Sequence, residues 1–385
     1  MTIRSAYLLI SLLLCSCVAQ REFVSLSGLR SADFNTNIDG RCAHLYRLVN
    51  RGGMEVCITD YGARIVSVMA PDANGHFGDV VCGFDNVNDY HRYRQNFGAT
   101  VGRYIGRILN GQFMIDSTTY KLQTNGGKHC SHGGYPGFAD RQWRMKRVSR
   151  HQLCLTYLSP DGENGFPGNL NTIITFTLGD DNTLRISYKA NTDKPTVLNL
   201  SNHSFFNISD SLCKDIEDEV LWIDADSIAE YDNSKCVTGR LLAVKNTPFD
   251  FTQGHDIRSH IDDDDTQIRV VHGYDHTWRI NSPGDLSHPI ARIIDRSSGR
   301  MLEVFTTEPG IHIYTANGLN GKLTGKSHIA YRSRSAICFE TMHFADSPNK
   351  PQFPSTLLLP GHTYHSTTIF KFGLSPSSQH FTPLH

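Results

Sequence analysis

From Ala43 almost to the end of the chain, short apolar runs alternate with polar positions: "MEVCITDYGARIVSVMAP", "LCLTYLSP", "NTIITFTL", "TLRISYKA", "MLEVFTTEPGIHIYT", "STTIFKFGL". In an extended chain every second residue faces the same side, so such runs bury one face. "GDDN", "DGENGFPG", "NSPGD" and "SSGR" punctuate them as turns. No long window carries a 3.6-residue apolar period, and no Pro-, Gly- or Ser-rich linker or composition break divides the chain. The pattern predicts an all-β protein, a single large antiparallel β-sandwich above the usual size for that architecture. Residues 38–378 are read as one domain, and residues 20–37 as a polar N-terminal tail without period.

Residues 1–19 stand apart. Arg4, an apolar run from Ala6 to Leu14 and small residues before Gln20 have the form of a secretory signal, too short to span a membrane as a helix. Cleavage after Ala19 is expected, and the mature protein is expected to be secreted or periplasmic. Lipid anchoring at Cys17 is the alternative. Of the ten cysteines, Cys15 and Cys17 lie in this segment, leaving an even number in an exported chain, which permits disulfides. Cys213 and Cys236, flanking one irregular stretch, are the first pair to expect. Cys82, Cys154 and Cys338 lie in apolar strand patterns, where a buried thiol is equally reasonable. Basic and acidic residues nearly cancel, 37 against 38, so no footprint for a nucleic-acid or membrane partner is visible.

Five stretches carry more polar chemistry than a sandwich core needs. "NLSNHSFFNI" (199–208) puts Asn199, Ser201, His203, Phe205 and Asn207 on one face of a strand, like a polar pocket wall with an aromatic floor. A satisfied core histidine is the plain alternative. "VGRYIGRI" (101–108) places Arg103 and Arg107 on a shared face, or leaves them solvated on an edge strand. "TNGGKHCSHGGYPGF" (124–138) is a Gly-rich loop with His129 and His132. It reads as surface loop or, with Cys130, as a metal-ligand set lacking a second spaced cluster. "GYDHTW" sets Asp275 and His276 beside two aromatics, and "AICFETMHFADSPN" buries Glu340 in an apolar strand. A buried Glu must be paired or have a raised pKa, and both are common at catalytic sites. There is no G-x-S-x-G, Walker loop or dinucleotide fingerprint. Acid/base chemistry on a small polyhydroxylated ligand is the economical reading.

These stretches resemble the aldose 1-epimerases (galactose mutarotases) in order and spacing over about residues 38–375. The resemblance rests on "YGARIVSVMAPD", "DVVCGFDNVNDY", "FGATVGRYIGRI", "HGGYPGF", "SPDGENGFPG", "LNLSNHSFFN", "YDHTW", "TTEPGIHIYTAN" and "ETMHFADSPNKPQFPSTLLLPG". It implies one large β-sandwich that interconverts α and β anomers of free hexoses by opening and reclosing the sugar ring. By the same resemblance Glu340 is the general base, His203 the general acid at the ring oxygen, and His132 the second active-site histidine. Arg107 and Asp275 hold sugar hydroxyls, and Asn202 shapes the site. No cofactor and no metal are implied, and the partner is a small-molecule sugar, with the protein a monomer or weak dimer. His312 stands where the family usually has a sugar-contacting Gln, which is expected to shift substrate preference. Ser131 and Gly106 are lesser departures.

Two other functions compete. An epimerase for a modified or phosphorylated sugar would want a further basic cluster near the pocket, and Arg103 with Arg107 does not make one. A non-catalytic sugar-binding protein would not need Glu340, His203 and His132 together. Asn199, Asn202 and Asn207 each fit N-x-[ST]. They lie in the His203 strand, where glycans on Asn199 or Asn202 would block the pocket, so neither is expected to be modified.

Overall fold

The computed structural model describes residues 22–209 and 211–375, so the expected signal segment lies outside the described residues. Two large antiparallel sheets dominate. The first has nine strands in the order Arg144–Val148, Gln152–Ser159, Leu170–Leu178, Thr183–Thr192, Tyr364–Leu374, Arg300–Thr306, Ala291–Ile294, Val220–Ile223, His255–Asp256. The second has six, in the order Phe205–Phe206, Ile337–Met342, Gly310–Tyr314, Asp275–Ile280, Ala225–Tyr231, Val237–Ala243. A four-stranded sheet of Leu45–Val49, Glu55–Thr59, Arg64–Pro71 and Phe77–Asp79 packs with them.

Period-2 patterning explains why these layers stack. In Leu170–Leu178 the side chains of Leu170, Ile174, Phe176 and Leu178 are buried while Asn171 is exposed. Those residues share one core with Val56, Ile58 and Ile65 of the four-stranded sheet and with Ile311, Ile313, Ile337 and Phe339 of the six-stranded one. The expected all-β sandwich is the observed fold. The α-helices among the described residues, Val87–Tyr93 and Thr266–Val271, are short, as the missing 3.6-residue period requires.

Two expectations need correction. Residues 22–34 are not a detached tail: Leu29 and Phe34 are buried in a second apolar cluster, and the Leu26 N–H donates to Glu55 Oε1 at 2.7 Å. Their spacing is too irregular to show a period, yet two apolar anchors suffice to dock so short a segment. Cys213 and Cys236 are both free thiols. The loop of Cys213 is tied back to the strand-end residue Asn207, which donates to Lys214 O, whereas Cys236 closes the turn between paired Tyr231 and Val237. Cys82, Cys154 and Cys338 are buried free thiols.

Candidate active site

The six-stranded sheet turns one face to the core and the other to a cleft of about 670 Å³. Register decides which side chains reach it. Glu340 pairs with His312, Cys338 with Tyr314, His312 with Thr277, and Tyr314 with Asp275. With period 2 these residues share a face, while Ile311, Ile313, Ile337, Phe339 and Trp278 turn into the core. His276, one residue off Asp275, therefore points away from the cleft. It lies among Tyr231, Phe249 and Trp278, and burial without a partner for Nε2 holds it down to about 3.

His203 arrives from a separate strand. Ser201–His203 pairs with Ala99–Val101, but Phe205 pairs with Cys338, so the chain changes partner at Ser204. Asn202 makes that corner: its Oδ1 accepts from Ser204 N and Oγ, and its Nδ2 donates to Gly98 O at 2.8 Å. Gly98 N in turn donates to His203 O. Asn202 does not line the cleft, so it shapes the site through the backbone and not by touching a sugar. The change of partner also breaks the single wall expected over 199–207: of that face, His203 and Phe205 line the cleft. Asn199, Asn202 and Asn207 are all buried, with amide N–H groups donating to His343 O, Gly98 O and Ser335 O respectively. A glycan on any of them is incompatible with this fold, whether or not it would reach the pocket.

His132 follows the short strand Cys130–Ser131, which pairs with Arg107–Ile108. Its backbone is left-handed (φ +51°), and its N–H donates to Gly106 O at 2.9 Å. Gly133 comes next at φ +84°, where a Cβ would lie 2.2 Å from Gly102 O, so no other residue fits. That packing turns the His132 ring edge-on to His203, with centroids 5.6 Å apart. Arg107 lines the cleft and donates to Lys235 O at 3.3 Å. Arg103 does not share its face. The bent backbone between them sends Arg103 into the 159–168 loop, where it donates to Ser159 Oγ and to the carbonyls of Ser159, Pro160, Pro167 and Gly168.

Glu340 Oε1 lies 3.4 Å from His203 Nε2, both side chains deeply buried. Burial raises Glu340 to about 7, despite the opposing charge of His312. Burial, then the neighbouring His132 and His312, lowers His203 well below 6.5, and burial with Arg107 lowers His132 to about 4. Burial would raise Asp275 too, but its hydrogen bond to His312 Nε2 at 2.8 Å and the charges of His312 and Arg107 prevail, holding it at about 2. His312 is correspondingly raised. Burial thus favours the neutral rings of His203 and His132, while His312 is shifted the other way beside one firmly ionised carboxylate, and a second carboxyl is poised near neutrality.

Among the described residues, His203, Cys338 and Glu340 bring a ring nitrogen, a thiol and a carboxylate oxygen within 4.8 Å of one another. Burial pushes the Cys338 thiol well above its ordinary range. His129 belongs to no such group: its Nδ1 accepts from Asn110 N–H. Sequence reasoning passed over Thr277 and Tyr314. Thr277 Oγ1 bonds His312 Nδ1 at 3.0 Å, and the Tyr314 ring stands 6.3 Å from that of His203. Each lies two residues from a recognised site residue, so the alternation itself pointed to them.

The family described as Aldose 1-epimerase matches residues 44–371. A galactose mutarotase from Bos taurus is 37% identical over 322 residues, covering 84% of this chain and 92% of that protein. An aldose 1-epimerase from Escherichia coli is 33% identical over 336 residues, covering 87% and 96%. Among crystal structures, an aldose epimerase homologue from C. elegans superposes with a TM-score of 0.81 at 28% identity, covering 87% of this chain and all of that one. A galactose 1-epimerase from Lactobacillus acidophilus gives 0.78 at 27%, covering 89% and 97%. Similarity of this extent spans all the strands that build the cleft, and the chain belongs to the aldose 1-epimerase family.

Proposed function

We propose that this enzyme interconverts the α and β anomers of free hexoses such as galactose and glucose, with Glu340 and His203 as its acid/base pair. The observation that carries the reading is the 3.4 Å approach of Glu340 Oε1 to His203 Nε2 at the floor of a cleft flanked by Arg107, His132 and Asp275.

Ring opening removes the proton from the C1 hydroxyl and adds one to the ring oxygen, so the working pair must present an empty base and a loaded acid. That is one proton shared between two groups. In the empty site burial leaves this proton on Glu340 below about pH 7. Transfer across the short gap gives Glu340 carboxylate and His203 imidazolium. The carboxylate then takes the C1 hydroxyl proton while His203 delivers its own to the ring oxygen, and the C1–O5 bond breaks. The products are protonated Glu340 and neutral His203, the distribution that burial favours. After rotation about C1–C2 the steps reverse: Glu340 returns a proton to the carbonyl oxygen, His203 takes the one on O5, and the ring closes on either face. Arg107 and Asp275 fix the sugar by its hydroxyls, and His132 donates to it beside the ring oxygen. Positioned acids and bases each contribute on the order of 10²–10⁴-fold.

Polarimetry of freshly dissolved α-D-galactose and α-D-glucose tests this. Decay to the equilibrium rotation should accelerate in proportion to added protein. No acceleration with either sugar, in folded protein, overturns the reading.

A further inference from the structure

His312 occupies the middle of Gly310–Tyr314, directly opposite Glu340 on one neighbouring strand and Thr277 on the other. Both its ring nitrogens are engaged: Nε2 with Asp275 Oδ1 at 2.8 Å and Nδ1 with Thr277 Oγ1 at 3.0 Å. A carboxylate can only accept and a hydroxyl can accept, so a ring carrying protons on both nitrogens is fully satisfied here. The charged groups facing it are the carboxylates of Asp275 and Glu340 and the guanidinium of Arg107. The rings of His132, His203 and His276 lie within its field and are each lowered by it. With Glu340 ionised, the cations of His312 and Arg107 balance the carboxylates of Asp275 and Glu340 around the ring, while Lys235 and Lys322 also line the cleft. Without a charge on His312, those two buried carboxylates would face Arg107 alone among the groups acting on the ring.

We infer, resting on the acid/base reading above, that His312 is held as an imidazolium between Asp275 and Glu340, and that its charge sets the pH at which the Glu340–His203 pair loses its working proton. It touches Asp275 and not the reacting atoms, so it is a positioning residue whose contribution is a charge. A neutral ring would keep the same two hydrogen bonds, with Nε2–H donating to Asp275 and Thr277 O–H donating to Nδ1. Geometry and charge are therefore separable. Glutamine makes the separation by substitution, since its amide can donate to Asp275 without carrying charge.

The experiment compares the pH dependence of kcat/KM for mutarotation in the wild type and in H312Q. Removing a cation beside the pair raises the pair's hold on its proton, so the alkaline limb should move to higher pH by about one unit. Above both limbs the variant then keeps about tenfold more of its own maximum than the wild type does. The height of the profile is not the readout, because lost packing or weaker sugar binding lowers it without moving the limb. A limb that stays in place overturns the inference and leaves the mutarotase reading intact. If H312Q does not fold, H312N, smaller and equally uncharged, carries the same expectation. Histidine-selective NMR of the wild type tests the charge apart from catalysis. A ring signal absent from the variant should keep imidazolium shifts above the ordinary histidine pKa of about 6.5. A neutral His312 at pH 7 overturns the inference even if the protein were to bind sugars without turning them over.

Discussion

Leu170–Leu178 in the nine-stranded sheet and Ile337–Met342 in the six-stranded sheet differ in one respect that matters. The first alternates buried core residues with partly or fully exposed ones, while every residue of the second is buried. One face of Ile337–Met342 packs in the core, as Leu170–Leu178 does. On its other face Cys338 packs in the apolar cluster of Phe97 and Phe205, Met342 packs with Ala99, Val101 and Ile105, and Glu340 between them lines the cleft. Failure of alternation thus marks a second buried face, apolar on either side of a single carboxyl. In the first sheet burial is a source of stability; in the second it is also the means by which a carboxyl is raised to about 7.

If the two faces serve separate ends, substitutions should separate activity from stability. The largest effect is expected for Glu340→Gln. Anomer exchange should fall by on the order of 10³-fold, while calorimetry still shows sugar binding. Undiminished exchange would remove Glu340 from the base role. The counterpart is Ile174→Ala in the nine-stranded sheet, a fully buried core position. It should cost about 3 kcal/mol of unfolding free energy and leave kcat per folded molecule unchanged. A loss of kcat comparable to its loss of stability would show that the two sheets are not separable.

The same contrast accounts for what could be read before the fold was known. Strand alternation alone indicated the sandwich, and Glu340 and His132 were conspicuous because a carboxylate in an apolar run and an HGG turn both need a special reason. Features made by two distant strands meeting could not be read. The His312–Asp275 bond joins residues 37 apart, and nothing local to "GIHIYT" announces it. Arg103 and Arg107 looked equivalent because their spacing was read as extended chain, whereas the bend between them sends one to the cleft and the other to five loop acceptors. Asn202 sat on the wrong side of a strand that changes partner at Ser204, so its contribution to the corner was invisible from period 2.

A smaller effect links the site to stability through pH. The Glu340 carboxyl ionises near 4.5 when unfolded and at about 7 when folded. Between those values the folded state binds more protons, so unfolding free energy declines as pH rises and the full penalty is present above about pH 7. Glu340→Gln should therefore melt higher than the wild type above pH 7, by on the order of 1–3 kcal/mol, with the gap narrowing as pH falls from about 7 towards 4.5. Activity should turn the other way: above about pH 7 the wild-type pair empties and kcat/KM should fall about tenfold per pH unit. An activity plateau that continues well past pH 7 would mean that the acid is loaded from elsewhere.

The smallest effect discriminates most finely, because it sets one threonine of each sheet against the other. Thr172 lies fully buried in the core row of Leu170–Leu178, and its hydroxyl has no hydrogen-bond partner. Thr277, equally buried, has its hydroxyl oxygen 3.0 Å from His312 Nδ1, where it accepts from a doubly protonated ring. Valine keeps the shape of either side chain and removes only the hydroxyl. In the first sheet nothing is lost and a desolvated polar group disappears, so Thr172→Val should be neutral or stabilising by about 1 kcal/mol, with unchanged activity. In the second, the acceptor that satisfies the second proton of an imidazolium is removed. Thr277→Val should weaken the charge on His312, lower kcat/KM several-fold through a loss of about 1 kcal/mol, and move the alkaline limb upward by less than His312→Gln does. Melting curves and pH profiles of the two valine variants make the comparison directly. If both threonines prove silent, the bond to Thr277 does not stabilise the charged ring, and Asp275 alone holds it.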